Sequence, residues 1–286
     1  MEMNLLKKVL TLSWVVFLMI CSLQAQTPDS ILYKQVDSTS LYLHIDYPPG
    51  FEVSKSYPAI VFFFGGGWNG GNPGHFAHHA LYFAERGMVC FRADYRVHSR
   101  HGTTPFESLK DAKSAMRFVR AHADELGVDP GKIIASGGSA GGHLAAATAV
   151  VEAYNEDGEE LTVSCVPNAM LLFNPVIDNG PGGYGYDRVG EAYSLFSPLH
   201  NIRQGAPPTI IFLGTEDRLI PVETVQYYKM VMEKVGSRCD LLLYEGEGHG
   251  FINYGQFDNY RKTVAEADRF LISLGYLYEN PVIKIK

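Results

Sequence analysis

The chain has 286 residues, 46% hydrophobic and 19% charged, a globular composition long enough to bury a large core without disulfide help. Its net charge of −7 argues against a nucleic-acid partner, which would require a basic stripe. Only Cys90, Cys165 and Cys239 lie beyond residue 25, an odd set that makes no disulfide framework and reads as small buried hydrophobes.

Residues 1–25 read as a signal peptide. Lys7 and Lys8 precede an apolar run from Val9 to Ile20, and S-L-Q-A-Q puts cleavage near Ala25. The run falls short of the about 20 apolar residues that span a bilayer, so no stable membrane insertion is expected. A lipid anchor on Cys21 fits less well, because Ile20 stands where lipoprotein signals take a small side chain. Cleavage removes Lys7, Lys8 and Glu2 and leaves a net charge of −8 on residues 26–286. That remainder is expected to form a single domain, exported to the periplasm or beyond.

Strand patterns then recur along the chain. L-Y-L-H-I-D-Y (41–47) alternates apolar and polar, as a half-exposed antiparallel strand does. Segments 59–64, 88–93, 132–136, 169–173, 209–213 and 240–244 are almost continuously apolar, as strands covered on both faces must be. Helical spacing appears from Pro105, with Phe106, Leu109, Ala112, Met116 and Val119 on one face, and again after Ser139, over 224–235 and over 260–271. Strands alternating with helices imply a mostly parallel sheet flanked by helices. The stretch 177–206, rich in Gly, Tyr and Pro, reads as a long irregular, lid-like insertion.

The decisive stretch is A-S-G-G-S-A-G-G-H-L-A (135–145). Ser139 stands in a G-x-S-x-G turn between a buried strand and a helix. Such a turn strains the serine backbone, so Gly137 and Gly141 must be small, and Oγ is pushed out beside the positive end of the helix. A phosphate-binding loop would need lysine after the glycines, and His143 stands there instead. A serine nucleophile needs a base, and the base needs an orienting acid. His249, in G-E-G-H-G-F after the last strand, is the candidate base; His143 is the weaker alternative, within the elbow helix. Asp217, in G-T-E-D-R-L-I-P, is the candidate acid, with Glu216 adjacent and chemically competent. F-G-G-G-W (64–68) ends a buried strand in glycines whose N–H groups can approach a substrate. Gly66 and Gly67, with the N–H of Ala140, are the candidate oxyanion donors.

Together these motifs, with A-D-Y-R (93–96), resemble the α/β-hydrolase superfamily over about residues 30–275. Within it the resemblance is to the hormone-sensitive-lipase-like and acetyl esterases, and most to a branch of carbohydrate-esterase-like or feruloyl-esterase-like hydrolases. The resemblance implies an eight-stranded, mostly parallel sheet, the chain order Ser, Asp, His, and the G-x-x-D position for Asp217. The departure is Phe64, where the family usually has a histidine that supports the glycine loop. Asp94 and Arg96 read as a buried charge pair.

H-F-A-H-H (75–79) invites a zinc reading, but lacks the glutamate and spacing of a metalloprotease helix. It reads as a solvated or lid-contacting helix, and neither a metal nor a cofactor is expected. Trp68, Tyr184 and Tyr186 are the candidate substrate-binding aromatics, able to stack on sugar rings or line an acyl pocket. The sequence therefore points to an exported serine esterase acting on acetyl or feruloyl esters of a polysaccharide or oligosaccharide. A prolyl-oligopeptidase-like peptidase and a non-catalytic, hydrolase-like binding protein are the alternatives. Oligomeric state is not legible.

Overall fold

The structure is a computed structural model that describes residues 29–279; the proposed signal peptide lies outside the described residues. Eight strands form one sheet: β1 (Ser30–Val36), β2 (Thr39–Asp46), β3 (Tyr57–Phe63), β4 (Val89–Ala93), β5 (Val128–Gly138), β6 (Ala169–Phe173), β7 (Thr209–Gly214) and β8 (Cys239–Tyr244). Their order is β1-β2-β4-β3-β5-β6-β7-β8. β2 runs antiparallel to both β1 and β4, and every pairing from β4 to β8 is parallel. Five longer helices accompany the sheet: α1 (Ala77–Glu85), α2 (Pro105–Ala121), α3 (Ala140–Val150), α4 (Val222–Lys234) and α5 (Phe257–Ser273).

The continuous apolar runs are buried on both faces except 240–244, which forms the edge strand β8 and is only half-buried because no strand pairs its outer side. In β3, Val61 and Phe63 enter the core shared with α2, α3 and α4, whereas Ile60 and Phe62 enter the core shared with α1 and α5. The same alternation puts Met170 and Leu172 of β6 on the first face and Leu171 and Phe173 on the second. Period-two side chains thus fill two layers at once, which is why these strands carry no polar face. Helix α2 starts where Pro105 and its neighbours dictate. Thr104 accepts from the Phe106 N–H, and Glu107 accepts from the Thr104 N–H, closing a capping box with Pro105 in the first turn.

The structure adds one strand to those the sequence patterns mark and changes two expectations. The strand β1 has little apolar signal because only Tyr33 of it is buried. Its Lys34 instead reaches Asp111 at 2.7 Å and Glu156 at 2.8 Å. Arg96 pairs with Asp111 and Glu156, while Asp94 pairs with Arg100, so Asp94 and Arg96 are not each other's partners. Within the stretch 177–206, residues 177–185 and 202–206 are irregular, but the middle folds into short helical turns at 186–189, 190–192, 193–196 and 198–201. Phe196, fully buried, fixes it to the body against His143, Trp68, Phe106 and Tyr154. Cys90, Cys165 and Cys239 are free and buried.

Candidate active site

The turn between β5 and α3 holds Ser139 at φ 55° and ψ −122°, a backbone region that a residue with a side chain rarely occupies. The flanking glycines are required by contact. A Cβ on Gly137 would run into the backbone of Gly141, and one on Gly141 into the carbonyls of Phe63 and Phe64. The elbow therefore packs directly on the end of β3, with no room for a methyl group. The Ser139 N–H donates to the Phe173 carbonyl at 3.0 Å, which ties the strained residue to β6.

Two loops at the same edge of the sheet complete a hydrogen-bonded chain. His249 Nε2 lies 2.9 Å from Ser139 Oγ, and His249 Nδ1 lies 2.7 Å from Asp217 Oδ2. The Asp217 side chain is fully buried, and its Oδ1 accepts from the N–H groups of Leu219 and Ile220 at 2.9 and 3.0 Å. Its two oxygens are thus divided, one orienting the carboxylate and one facing the imidazole. With Nδ1–H donating to the carboxylate, Nε2 presents its lone pair to the serine hydroxyl. Glu216 is exposed and takes no part in this chain. His143 lies fully buried in α3, 5.0 Å from the Trp68 ring and 4.3 Å from the Phe196 ring, away from Ser139.

The glycine loop after β3 curls over the serine. Gly66 and Gly67 have φ of 128° and 63°, and the loop is closed by bonds from Asn69 and Gly70 N–H to the Gly66 carbonyl. Among the described residues no acceptor engages the N–H groups of Gly66 and Gly67. A cavity of about 440 Å³ opens here, lined by Ser139, His249, Gly66, Gly67, Tyr184 and, on its apolar side, Leu219 and Ile252. A second cavity of about 520 Å³ adjoins it across Gly67 and Tyr184, lined by Trp68, Asn69, His98, Thr103 and Arg188. Trp68 is almost wholly buried and lines only the second cavity; Tyr184 lines both; Tyr186 lines neither and bonds Glu191. Among the described residues no group of three His, Cys, Asp or Glu side chains is placed to hold a metal ion.

Known proteins with this architecture share the arrangement of the chain. The BD-FAE family model matches residues 43–179, and the dienelactone hydrolase family model matches residues 174–271. Esterase 2 of Thermogutta terrifontis, phosphonylated by sarin, is 45% identical over 90% of this chain and 98% of that chain, with a TM-score of 0.86. Its propionate-bound structure is 47% identical over 88% and 96%, with a TM-score of 0.84. The chain is an α/β-hydrolase esterase. An acetylxylan esterase of Xylanibacter ruminicola is 27% identical over 86% of this chain and 50% of its own length. The chain spans about half the length of the curated relatives it matches.

Phe64, at the start of the glycine loop, makes no contact with the nucleophile's hydrogen-bonded chain. That ring leaves the site and stacks on Tyr95 at 3.9 Å, while the Tyr95 hydroxyl donates to the Phe64 carbonyl at 2.6 Å. Three polar residues lie at the site to which the sequence assigns no role there. His75 lines the Ser139 cavity and accepts from Gly65, whereas H-F-A-H-H was expected to be a solvated or lid-contacting helix; His79 is also buried, and His78 stacks on Tyr254. Asn253 faces His75. Asn174, at φ 35°, brings its Nδ2 to 3.4 Å from His249 Nε2. Only Asn174 had a local signal, an N-P step at the end of a buried strand.

Proposed function

We propose that this chain is an exported serine esterase that removes short acyl groups, acetyl foremost, from a polysaccharide or oligosaccharide. The observation that carries the reading is the unbroken path from Ser139 Oγ through His249 to Asp217. Ser139 Oγ attacks the ester carbonyl as its proton passes to His249 Nε2. The buried Asp217 carboxylate stabilises the imidazolium and holds its orientation. The oxyanion takes N–H donors from Gly66, Gly67 and Ala140. The tetrahedral intermediate expels the alcohol, which leaves with the proton from Nε2. Water then attacks the acyl-serine with the same base, and the acid departs.

The apolar side formed by Leu219 and Ile252 suits a short aliphatic acyl group. Propionate- and butyrate-bound structures of the Thermogutta esterase support the same size. On the other side of Tyr184, the Asn69, His98, Thr103 and Arg188 cavity offers several hydrogen-bonding groups to a polyhydroxylated alcohol. The acetylxylan esterase relative fits a sugar in that role.

The test is hydrolysis of p-nitrophenyl acetate, butyrate and octanoate, and acetate release from acetylated xylan, by the chain from Gln26 and by Ser139→Ala. We expect acetate and butyrate esters to be cleaved, octanoate poorly, and Ser139→Ala to lose at least about 10³-fold in kcat. Equal rates for wild type and variant would end the Ser139 assignment. Export is tested on the full chain in a Gram-negative host: a periplasmic product starting at Gln26 is expected, and retention of Met1 on a cytoplasmic product would refute it.

A further inference from the structure

His75 belongs to a short, stiff turn. Pro73 opens the 3₁₀ segment Pro73–Phe76, and Asn72 Oδ1 accepts from the Gly74 N–H at 2.9 Å. The turn carries the imidazole back under the glycine loop. Nδ1 lies 2.9 Å from the Gly65 nitrogen, and Nε2 lies 2.7 Å from Asn253 Oδ1. A backbone N–H can only donate, so Nδ1 must hold a lone pair. In the neutral ring the proton is then on Nε2, and it donates to the Asn253 carbonyl oxygen. One donor without a choice therefore fixes the tautomer of the ring and the orientation of the amide.

The two ends of this bridge lie beside the two halves of the chemistry. Gly65 immediately precedes the donors Gly66 and Gly67, and it is pressed against the elbow. A Cβ at Gly65 would lie 3.2 Å from His75 Cε1 and 3.4 Å from Ser139 Cβ, so no side chain separates the imidazole, the glycine loop and the nucleophile. Asn253 closes the turn that follows the base: its N–H donates to the Gly250 carbonyl at 3.1 Å. The ring is thus a strut between the loop that supplies oxyanion donors and the loop that supplies His249.

We propose that His75 is a positioning residue for ester hydrolysis, a neutral imidazole that sets the oxyanion donors at a fixed distance from the base through Gly65 and Asn253. The proposal rests on the reading of Ser139, Gly66 and Gly67 given above. Its physical basis is the narrow tolerance of an oxyanion hole: donors must meet the developing charge at about 2.7–3.1 Å, and a displacement of about 1 Å costs about 10²-fold. A ring that merely filled space would be replaceable by any ring of its size.

The chemistry of the two nitrogens permits a separation. His75→Phe keeps a ring but loses both bonds. His75→Asn places Oδ1 at the reach of Nδ1, so it can accept from Gly65 but cannot reach Asn253. Asn253→Ala removes the far acceptor alone. We would measure kcat and KM on p-nitrophenyl acetate for each, with thermal unfolding beside them. His75→Phe should lower kcat about 10- to 100-fold with KM changed less than about threefold, and His75→Asn should recover most of that loss. Asn253→Ala should lower kcat about three- to tenfold at unchanged Tm. The proposal falls if folded His75→Phe keeps kcat within about twofold, if the loss is confined to KM, or if His75→Asn is no better than His75→Phe. Should His75→Phe not fold, full kcat in Asn253→Ala would overturn the coupling. Wild-type chain that neither cleaves the ester nor reacts at Ser139 with a phosphonate probe would instead remove the functional reading, and this proposal with it.

Discussion

Asp217 and Glu216 are neighbours of identical charge, and only the backbone decides between them. The turn after β7 puts the Asp217 side chain under Leu219 and Ile220, whose N–H groups hold one carboxylate oxygen and aim the other at His249 Nδ1. Glu216 points to solvent from the adjacent position. Asp217→Asn keeps the shape but presents an amide to an imidazole that must donate, which favours the wrong tautomer, and a cost of about 10³–10⁴-fold in kcat is the expected scale. Glu216→Gln should stay within about twofold, as a solvated side chain away from the chemistry. Steady-state kinetics on the same ester checks both. A larger loss in Glu216→Gln than in Asp217→Asn would transfer the role and contradict the geometry. The sequence could propose Asp217 because G-T-E-D has a local spacing, and Ser139 because its glycines are needed within two residues of it. His75 and Asn253 are 178 residues apart and share no local pattern, so their meeting is legible only once the fold is closed.

Elements differ in legibility for the same reason. Strands β3, β4, β6 and β7, with β5 from Ile133, are covered on both faces and announce themselves as apolar runs, whereas β8 is apolar in sequence yet half-exposed at the far edge of the sheet. β1 sits at the sheet edge, and what holds it is partly charge: Lys34 enters a cluster with Asp111, Arg96 and Glu156, drawn from α2 and from the segments after β4 and α3. Such a cluster joins four separate parts of the chain, and no window of sequence contains it. Its carboxylates are held firmly. Burial alone would raise the Glu156 pKa, but Lys34 and Arg96 outweigh it and bring the group down to about 2. The 177–206 stretch misleads in the opposite direction. Its glycines and prolines suggest a loop, yet Phe196 and Val189 are buried, and Arg188 bonds the Gly67 carbonyl while lying 5.1 Å over both Trp68 and Tyr184. The insertion thus reaches the glycine loop through a cation and an aromatic pair, and it builds the wall between the two cavities. Tyr184 was legible as a candidate because aromatic residues stand out in such a stretch; Arg188 was not, because an arginine there reads as solvated.

The molecule as a whole carries two histidines that the chemistry does not use and that folding must keep neutral. His79 lies in a cage of Phe76, Phe173 and Tyr260, with ring centroids at 4.9, 5.3 and 4.8 Å, and neither of its nitrogens has a partner. His143 is equally buried between Trp68 and Phe196. Burial pulls both pKa values down to about 3, from the usual 6.5. In the unfolded chain both regain the ordinary value, so between about pH 6.5 and 3 the unfolded state binds more protons. Stability must then fall as pH falls through that window, by up to about 1.4 kcal/mol per pH unit for each histidine, while carboxylates add their own loss only at lower pH. From pH 7 to pH 5 one such histidine accounts for on the order of 2 kcal/mol, or roughly 4–8 °C in Tm for a chain of this size. His79→Phe isolates the effect, because it replaces two unpartnered buried nitrogens with ring carbons inside an aromatic cage and changes little volume. Its Tm at pH 7 should match or exceed that of the wild type, and its drop between pH 7 and pH 5 should be smaller by that amount. Thermal unfolding followed by circular dichroism at half-unit pH steps makes the comparison. A variant whose acid limb coincides with the wild type would mean that His79 takes up its proton without unfolding the chain, and that the acid sensitivity lies elsewhere.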